Sequence, residues 1–349
     1  IIHKIPDDLR VKGLLDLPEP KLSEIEIKMY MEGLLKKNIS CSEYTNFLGA
    51  GCYNHYVPAV YDEINSRSEF LTAYCGDAYT DHGKSQAIFE FTSLMSELVD
   101  MDVVALATYD GSQAVSTSLS MAHRITGRNE FLVPETMNPE LLAHFANYTE
   151  NYASIVKVAY DKKTGKMDLT DLQKKISDKA AAVFVENPSY LGFLQDDAEE
   201  IGKIAHAAGA LFVVNVDPLS LGSLESPANY GADIVCGDMQ CFGIHMGYGS
   251  GLTGFIASHQ KPEYIMNFPQ HLYGLYENEK GEFAFMRSLN DRTSYGTREK
   301  ANEYLGTNSG LWAITVAVYL SLMGPQGLKE LCDNVMYKCQ YAMKKLSQI

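Results

Sequence analysis

The sequence predicts an α/β fold built on a mainly parallel sheet with helices on both faces. Short apolar runs alternate with helical stretches through the middle of the 349-residue chain, which is the order expected of parallel strands joined by helical crossovers. The run Leu211–Val216 is apolar at nearly every position, as a strand covered on both faces must be. Polar residues follow several of these runs directly, so we expect a site at the carboxyl edge of the sheet.

Composition places the chain among folded proteins and argues against some partners. A hydrophobic fraction of 46% and a charged fraction of 21% fit a globular protein. A formal net charge of -15 argues against a nucleic-acid partner, which needs a basic surface. The sequence shows neither a signal-peptide pattern nor an apolar run of membrane-spanning length, so no membrane partner is predicted. The 7 cysteines form no C-x-x-C pair, which favours reduced thiols and a cytoplasmic location.

Residues 1–60 are predicted to be an N-terminal extension with a wrapping loop. A helix is expected over Ser23–Lys37, because Ser23 is a suitable N-cap and Glu26 follows it at capping-box spacing. The glycine- and aromatic-rich stretch Tyr44–Ala59 has no clear period. We expect it to be an ordered loop that wraps around a neighbouring part of the assembly.

Residues 61–290 are predicted to form the large domain, starting with a buried helix over Ser85–Val99 whose apolar residues recur at helical spacing. Strands and helices then alternate. The predicted strands are Val103–Thr108, Phe131–Val133, Ser154–Val158, Ala181–Val185, Leu211–Val216 and Ile234–Gly237. The predicted helices between them are Ser112–Ile125, Pro139–Tyr148, Asp168–Ser177 and Asp196–Ala208.

The pattern changes in the last quarter of the chain. Phe268–Asn308 is polar and predicted to be rich in loops. Two helices follow, Trp312–Met323 and Gly327–Leu346, with a break at Gly324–Pro325. Residues 291–349 are therefore predicted to be part of a small C-terminal domain.

One strand-to-helix turn has the residues of a phosphate site. Tyr109, Asp110, Gly111 and Ser112 stand where the first predicted strand leads into a helix. Gly111 lets a ligand approach the backbone, and the exposed N–H groups of a helix start favour an anion. Asp110 or Ser112 could equally be an ordinary N-cap, and an aspartate beside a phosphate is electrostatically unfavourable.

Three later strand ends carry residues that could surround a cofactor ring. Asp217 could pair with a protonated pyridine nitrogen or cap the loop that follows it, and Asn187 could stack near a ring or turn the chain. This order suggests the large domain of a pyridoxal-phosphate enzyme of the aminotransferase-like kind (fold type I). Such enzymes carry a Schiff-base lysine after a later strand, but here Gln240 stands in that place. An amide nitrogen is not a nucleophile, so Gln240 cannot form the imine.

Other chemistry finds less support in the sequence. Lys84 or Lys261 could serve a self-sufficient pyridoxal-phosphate enzyme, although both are also explained as loop residues. The histidines lack metal-binding spacing, and Cys236, Cys241 and His245 are too few for a zinc site, so no metal is predicted. The sequence has no G-x-S-x-G elbow for a nucleophilic serine.

The sequence resembles the P-proteins of the glycine cleavage system, in the form of subunit 1 of glycine dehydrogenase (decarboxylating), which corresponds to the N-terminal half of larger single-chain versions. The resemblance spans nearly the whole chain. It rests on Tyr44–Gly51, His55–Val60, Ser66–Phe70, Thr72–Tyr74, Gln86–Phe91, Tyr109–Gly111, Asp217–Gly222, Tyr230–Val235, Gly237, Asp238, Gln240, Arg298–Ala301, Thr307 and Asn308.

The resemblance implies a subunit of a heterodimer whose partner, subunit 2, carries the Schiff-base lysine and most of the pyridoxal-phosphate site. The implied reaction is decarboxylation of glycine on that cofactor, followed by transfer of the aminomethyl group to the lipoyl arm of the carrier H-protein. Subunit 1 would lend loops to the shared site. Thr72, Tyr74 and His82 in a first loop, and Thr307 and Asn308 in a later one, are the residues expected to reach it.

The same resemblance assigns this chain's own pocket to Tyr109–Ser112, Asn187, Asp217 and Gln240, as a vestige of a cofactor site. Two segments depart from the family pattern: Cys75–Ser85 replaces a loop of different charge and shape, and Arg292–Thr297 also differs. Two alternatives therefore stay open. The chain could be a paralogous subunit that acts on another amino acid, or a non-catalytic scaffold or regulatory homologue.

Overall fold

The computed structural model describes residues 4–49, 51–70, 82–249, 251–269, 271–289, 294–302 and 309–348. The chain separates into two compact units, Ile1–Gly49 and Ala50–Ile349. In the first unit, α1 spans Glu24–Leu35 with Ser23 at its N-cap, which confirms the predicted helix. The Ser23 side chain makes no capping hydrogen bond, so the predicted capping box is wrong. The predicted domain boundaries at residues 60 and 290 stay predictions.

A seven-stranded sheet forms the centre of the second unit, in the order β1-β7-β6-β5-β4-β2-β3. Strands β2 to β6 pair in parallel, whereas β7 runs antiparallel to both of its neighbours. The predicted mainly parallel sheet is therefore confirmed. The strands are β1 (Val103–Val104), β2 (Glu130–Pro134), β3 (Ser154–Val158), β4 (Ala180–Glu186), β5 (Leu211–Val216), β6 (Ile234–Asp238) and β7 (Gly254–Ser258).

Helices cover both faces of the sheet. Alternate side chains of its strands point to opposite faces, and on each face they pack with helical side chains in a separate apolar cluster. In β4, Phe184 packs in one cluster, and Val183 and Val185 pack in the other. The first cluster takes its helical side chains mainly from α4 (Gly111–Thr126) and α5 (Pro139–Thr149). The second takes them from α3 (His82–Val99), α6 (Leu169–Lys175), α7 (Ala198–Ala207) and α10 (Gly310–Leu346). Three short helices complete the fold, α2 (Ala59–Ser66), α8 (Pro262–Ile265) and α9 (Ser294–Thr297).

The structure contains strands that the sequence pattern did not predict. Strand β7 is fully buried, but its five residues follow a glycine-rich loop and carry no strong period. Within the stretch predicted to be loop-rich, β8 (Leu272–Glu277) and β9 (Phe283–Ser288) form an antiparallel hairpin. Most of the hairpin residues are exposed or half-buried, so no alternation of buried and exposed residues marked it as a strand pair.

The last helix is bent where the sequence predicted a break. Gly324 has φ 61° and ψ 178° inside α10, and Pro325 follows it. Among the described residues, α10 alone has the length and apolar composition of a possible membrane span, and 44% of its apolar window is buried inside the protein. Its residues Ala313, Val316 and Leu320 belong to the second apolar cluster. Such burial is also typical of a core helix.

Truncating a core ring of the sheet should destabilise the second unit strongly. Phe184 is 0% exposed in the middle of β4, so Phe184→Ala should lower the free energy of unfolding by roughly 3–5 kcal/mol. Urea unfolding followed by circular dichroism measures the change. The matched control is Phe283→Ala on the hairpin, where the ring is 63% exposed. Equal losses for the two variants would contradict the assigned core.

Candidate functional site

The carboxyl ends of β4, β5 and β6 bring together the residues expected to surround a cofactor ring. Asp217 follows β5 directly, and its Oδ1 accepts a hydrogen bond of 3.1 Å from the backbone N–H of Leu219. The carboxylate therefore caps the short helical turn that begins at Pro218. Burial raises the pKa of Asp217, against the opposing effects of the Leu219 N–H and of His55.

His55 stands beside this carboxyl group, and sequence reasoning gave it no role in the pocket. Burial lowers the pKa of His55, whereas the charge of Asp217 opposes that shift. Its Nε2 atom is buried and has no hydrogen-bond partner among the described residues. Tyr53 also lies close enough for the charge of Asp217 to raise its pKa, after the larger effect of burial. The segment around residues 52–55 is thus part of this pocket.

Gln240, at the position expected of a Schiff-base lysine, is buried and binds backbone groups of two segments. Its side chain is 1% exposed. The Oε1 atom accepts a hydrogen bond of 3.0 Å from the backbone N–H of Tyr53. The Nε2 atom donates to the carbonyl oxygens of Tyr53 at 2.8 Å and Ile244 at 2.9 Å. Both amide hydrogens are therefore used, and the side chain ties the segment at Tyr53 to the loop after β6.

The start of α4 has its own cap. Asp110 is the N-cap residue, and its Oδ1 accepts a hydrogen bond of 2.7 Å from the backbone N–H of Gln113. The Gln113 side chain in turn accepts a hydrogen bond of 3.0 Å from the backbone N–H of Tyr109. This arrangement matches the alternative in which Asp110 is an ordinary helix cap. Ser112 is the second residue of α4, and its side chain is half-buried.

A second carboxylate, from Asp238 at the end of β6, reaches the same helix end. Its Oδ2 accepts a hydrogen bond of 2.8 Å from the backbone N–H of Gly111, and its Oδ1 accepts one of 2.7 Å from the backbone N–H of Gln240. A Cβ atom on Gly111 would lie 2.8 Å from the Asp238 Cβ. The carboxyl group of Asp238 thus lies where a helix start would otherwise receive a phosphate.

The electrostatics of Asp238 reflect this crowded position. The pKa of Asp238 is raised to about 7, mainly by burial and also by the nearby carboxylates of Asp110 and Asp217, against the opposing effect of the two N–H donors. Sequence reasoning did not assign Asp238 a role. The sequence did contain a signal for it, because Asp238 comes directly after the apolar part of β6. Residues at that end of a parallel strand lie at the same edge of the sheet as Asp217.

The residues of this pocket do not fit a covalently held pyridoxal phosphate. The lysine position holds Gln240, whose amide is fully engaged with backbone groups. The helix start that would bind the phosphate is occupied by Asp238. A negative phosphate placed beside Asp110 and Asp238 would also meet unfavourable charge.

Asn187 shapes a turn beside the pocket. Its Oδ1 accepts a hydrogen bond of 3.1 Å from the backbone N–H of Gln195, and its Nδ2 donates to the Tyr230 hydroxyl at 3.3 Å. The preceding residue, Glu186, is 8% exposed and accepts a hydrogen bond of 2.9 Å from the backbone N–H of Asn138. Burial raises the pKa of Glu186 to about 7.

Of the remaining candidate residues, Lys84 and Lys261 belong to the described part of the chain, and the loop residues are outside it wholly or in their side chains. Thr72, Tyr74, Thr307 and Asn308 lie outside the described residues. His82 begins α3, and its side chain is likewise outside them. Lys84 is 5% exposed in the first turn of α3, and the Lys261 Nζ lies 5.8 Å from the ring centre of Tyr264. Within the part of the chain that the structure describes, no three metal-binding side chains are grouped.

Comparison with known sequences points to one family. The family model described as glycine cleavage system P-protein matches residues 1–349. A probable glycine dehydrogenase (decarboxylating) subunit 1 of Chlorobium phaeobacteroides is 37% identical over 352 residues, covering 100% of this chain and 78% of that protein. The protein of the same description from Pyrococcus furiosus is 38% identical over 338 residues, covering 96% of this chain and 75% of its own length.

Comparison with solved structures gives the same result and confirms the predicted fold class. The crystal structure of an inhibitor-bound glycine decarboxylase (P-protein) of the glycine cleavage system matches with a TM-score of 0.84 and 34% identity, over 94% of this chain and 73% of that chain. The sphingosine-1-phosphate lyase of Burkholderia pseudomallei matches with a TM-score of 0.64 at 13% identity, over 92% of this chain and 73% of that chain. This second likeness concerns the fold alone.

Placing a lysine at position 240 should not be enough for covalent attachment of pyridoxal phosphate. In the Gln240→Lys variant the helix start still holds Asp238, so we expect no adduct with pyridoxal phosphate after borohydride reduction and peptide mapping. The matched comparison is Gln240→Lys combined with Asp238→Ser, which frees the Gly111 N–H for an anion. Circular dichroism establishes that both variants are folded. A strong adduct at position 240 in the single variant would contradict the assigned role of Asp238.

Glu186 should make stability depend on pH. Its pKa is about 7 in the folded protein, above the 4.5 of an ordinary glutamate, so between these two pH values the folded state binds a proton that the unfolded chain releases. The free energy of unfolding therefore falls as pH rises through this range. Glu186→Gln should remove the part of this fall that Glu186 causes, whereas the buried Asp238, whose pKa is also raised to about 7, keeps its own part. The variant should therefore gain stability over the parent at about pH 8 relative to about pH 5.

Thermal unfolding at the two pH values measures the Glu186 effect. Glu135→Gln is the matched control, because Glu135 is exposed on the loop after β2. The assignment would be wrong if Glu186→Gln and Glu135→Gln changed the pH dependence by the same amount.

Proposed function

We propose a function for this chain from one premise, that it belongs to the glycine cleavage system P-protein family. In this proposal the chain is subunit 1 of a two-subunit glycine dehydrogenase (decarboxylating), and a second subunit carries the Schiff-base lysine. The proposal depends on the hydrogen bonds of Gln240. Its amide binds backbone groups at the position where a pyridoxal-phosphate enzyme would have its reactive lysine. The match of nearly this whole chain to proteins named subunit 1 supports the same division.

Pyridoxal phosphate belongs to this proposal as a cofactor bound mainly by the partner subunit. When bound, it supplies an electron sink for the carbanion left by decarboxylation. The pocket at Asp217, Asp238 and Gln240 does not fit its covalent attachment, so no chemical step is assigned there. That pocket, with Tyr109–Ser112 and Asn187, is a structural remnant in this reading.

This chain would lend loops to the shared site. Thr72, Tyr74 and His82 belong to the first loop, and Thr307 and Asn308 belong to the second. Their hydroxyl, imidazole and amide groups are suited to bind and orient the carboxylate and amino group of a small amino acid. In the sequence, Thr72 and Tyr74 come between α2 and α3, His82 is the first residue of α3, and Thr307 and Asn308 come shortly before α10.

The aminomethyl group left by decarboxylation needs an acceptor, and we propose the lipoyl arm of a carrier H-protein. A cytoplasmic location completes the proposal. The described cysteines are all unpaired thiols, as a reducing compartment favours.

The test is reconstitution with a lysine-bearing subunit 2 from the same organism. Exchange of labelled carbon dioxide into glycine, measured with and without a lipoylated H-protein, should require both subunits and should be stimulated by the H-protein. A panel of other small amino acids is the specificity control. Exchange that persists without this chain would favour the scaffold role, and exchange confined to another amino acid would favour the paralogous subunit.

A further inference from the structure

Two turns lie side by side at the carboxyl edge of the sheet. The first, residues 160–167, follows β3 and carries three lysines, so we name it the lysine turn. The second, residues 189–193, follows β4 and carries Tyr190, Leu191 and Phe193, so we name it the apolar turn. Strands β3 and β4 are parallel and are separated only by β2, so the residues that follow them emerge at the same edge of the sheet.

Contacts between the two turns join them into one surface. The Phe193 ring packs on Gly165, where a Cβ atom would lie 2.6 Å from the Phe193 Cδ1. The backbone N–H of Met167 donates a hydrogen bond of 3.1 Å to Gln195 Oε1. The side chains at the two tips therefore keep fixed relative positions.

Backbone hydrogen bonds hold each turn in one conformation. In the lysine turn, the N–H of Asp161 donates to the carbonyl oxygen of Lys166 at 2.8 Å, and the N–H of Gly165 donates to that of Asp161 at 2.7 Å. In the apolar turn, the N–H of Gly192 donates to the carbonyl oxygen of Ser189 at 2.9 Å. A surface that is already ordered loses little conformational entropy when a partner binds to it.

The tip of the apolar turn exposes large apolar side chains. Tyr190 is 46% exposed and Leu191 is 62% exposed, and Leu194 directly after the turn is 39% exposed. None of the three belongs to the two apolar clusters of the sheet. Turn tips usually carry glycine, proline or small polar residues, and apolar side chains that are exposed together mark a surface for another protein.

Lysines lie beside these apolar side chains on a protein that is otherwise acidic. Residues 157–179 contain 7 lysines and 4 aspartates, whereas the whole chain has a formal net charge of -15. In the lysine turn, Lys166 forms an ion pair with Asp196. Lys162 and Lys163 at its tip are exposed, and neither forms an ion pair with any residue that the structure describes.

The aspartates of residues 157–179 are largely engaged with the fold itself. Three of the four accept hydrogen bonds from backbone N–H groups, namely Asp161, Asp168 and Asp171. The ammonium groups of Lys162 and Lys163 are thus the charges that this surface offers to a partner.

Exposed apolar side chains next to unpaired lysines fit a protein partner that presents carboxylates around an apolar patch. A nucleic acid would instead be repelled by the net charge of the chain. The surface is small and partly charged, which is typical of a transient complex, whereas permanent subunit interfaces are larger and more hydrophobic. In the proposed function, the lipoyl carrier must bind and leave in every turnover, while subunit 2 stays bound.

We propose that the lysine turn and the apolar turn form a docking surface for the carrier H-protein, which binds there through carboxylates and an apolar patch of its own. This inference rests on the proposed function. Tyr190 and Leu191 fill the centre of the interface. Lys162 and Lys163 lie at its rim, where their charges attract the carrier and speed its association.

The first test reverses the charge of the lysine turn with the double variant Lys162→Glu and Lys163→Glu. Glycine exchange by the reconstituted two-subunit enzyme is measured over a series of lipoylated H-protein concentrations. At low ionic strength the KM for H-protein should rise at least about tenfold, because two attractive contacts become repulsive. The rise should shrink at about 0.5 M salt, because salt screens exposed charges.

The matched control is the double variant Lys344→Glu and Lys345→Glu. These lysines are neighbours in the last turn of α10 and are exposed, so the net charge of the chain changes by the same amount. The control should keep the parent KM for H-protein at both salt concentrations.

The second test removes the apolar contact with Leu191→Ser. The KM for H-protein should rise severalfold, and by a similar factor at both salt concentrations, because salt does not screen an apolar contact. Leu322→Ser on α10 is the control, since Leu322 is 57% exposed and so similar to Leu191.

Three outcomes would contradict the inference. An active enzyme in which both turn variants keep the parent KM for H-protein would overturn it and leave the proposed function standing. Loss of the heterodimer in size-exclusion chromatography of the turn variants would also overturn it, because the surface would then belong to the contact with subunit 2. A parent pair that is inactive on glycine in the presence of H-protein would overturn the proposed function and this inference with it.

Discussion

The fold at the carboxyl edge of the sheet depends on one buried amide. Gln240 pairs with both backbone groups of Tyr53, a residue 187 positions away in the chain. Leaving a buried hydrogen-bonding group unpaired costs about 1–3 kcal/mol, so the two bonds to Tyr53 hold that segment firmly against the loop after β6. The third bond, to the carbonyl oxygen of Ile244, lies within that loop. That segment carries His55 towards Asp217 and leads through Pro58 into α2. The residue that cannot form an imine has thereby become a structural support.

Carboxylates complete the change from a cofactor pocket to a packed region. Asp110 and Asp238 take the N–H groups at the start of α4, and Asp217 takes the N–H of Leu219. A carboxyl group of the protein itself does not have to be bound from solution, and it accepts hydrogen bonds from the same N–H groups that a phosphate would. The cost is visible in the raised pKa values of Asp217 and Asp238, because buried carboxyl groups near one another resist ionisation.

Much of this arrangement could be predicted from sequence, and the rest could not for physical reasons. The ends of parallel strands share one edge of a sheet, so the placement of Asn187, Asp217 and Gln240 followed from finding the strands. Nothing local in Gly51–Pro58 indicated its contact with Gln240, because that pairing joins distant parts of the chain. Hydrophobic periodicity likewise did not predict β7, which is too short and too uniformly buried to show one. It did not predict the exposed hairpin of β8 and β9 either.

The antiparallel strand β7 has a consequence for the order in which the chain can assemble during synthesis. Strand β1 pairs only with β7, although more than half of the sheet's strands lie between them in sequence. A ribosome therefore releases Val103 and Val104 long before their partners Ala257 and Ser258 exist. The strands β2 to β6 can pair as they emerge, but β1 cannot pair until β7 has been synthesised. Until then, we expect the backbone groups of β1 and the apolar face of α3 to stay exposed in the nascent chain, where chaperones can bind them.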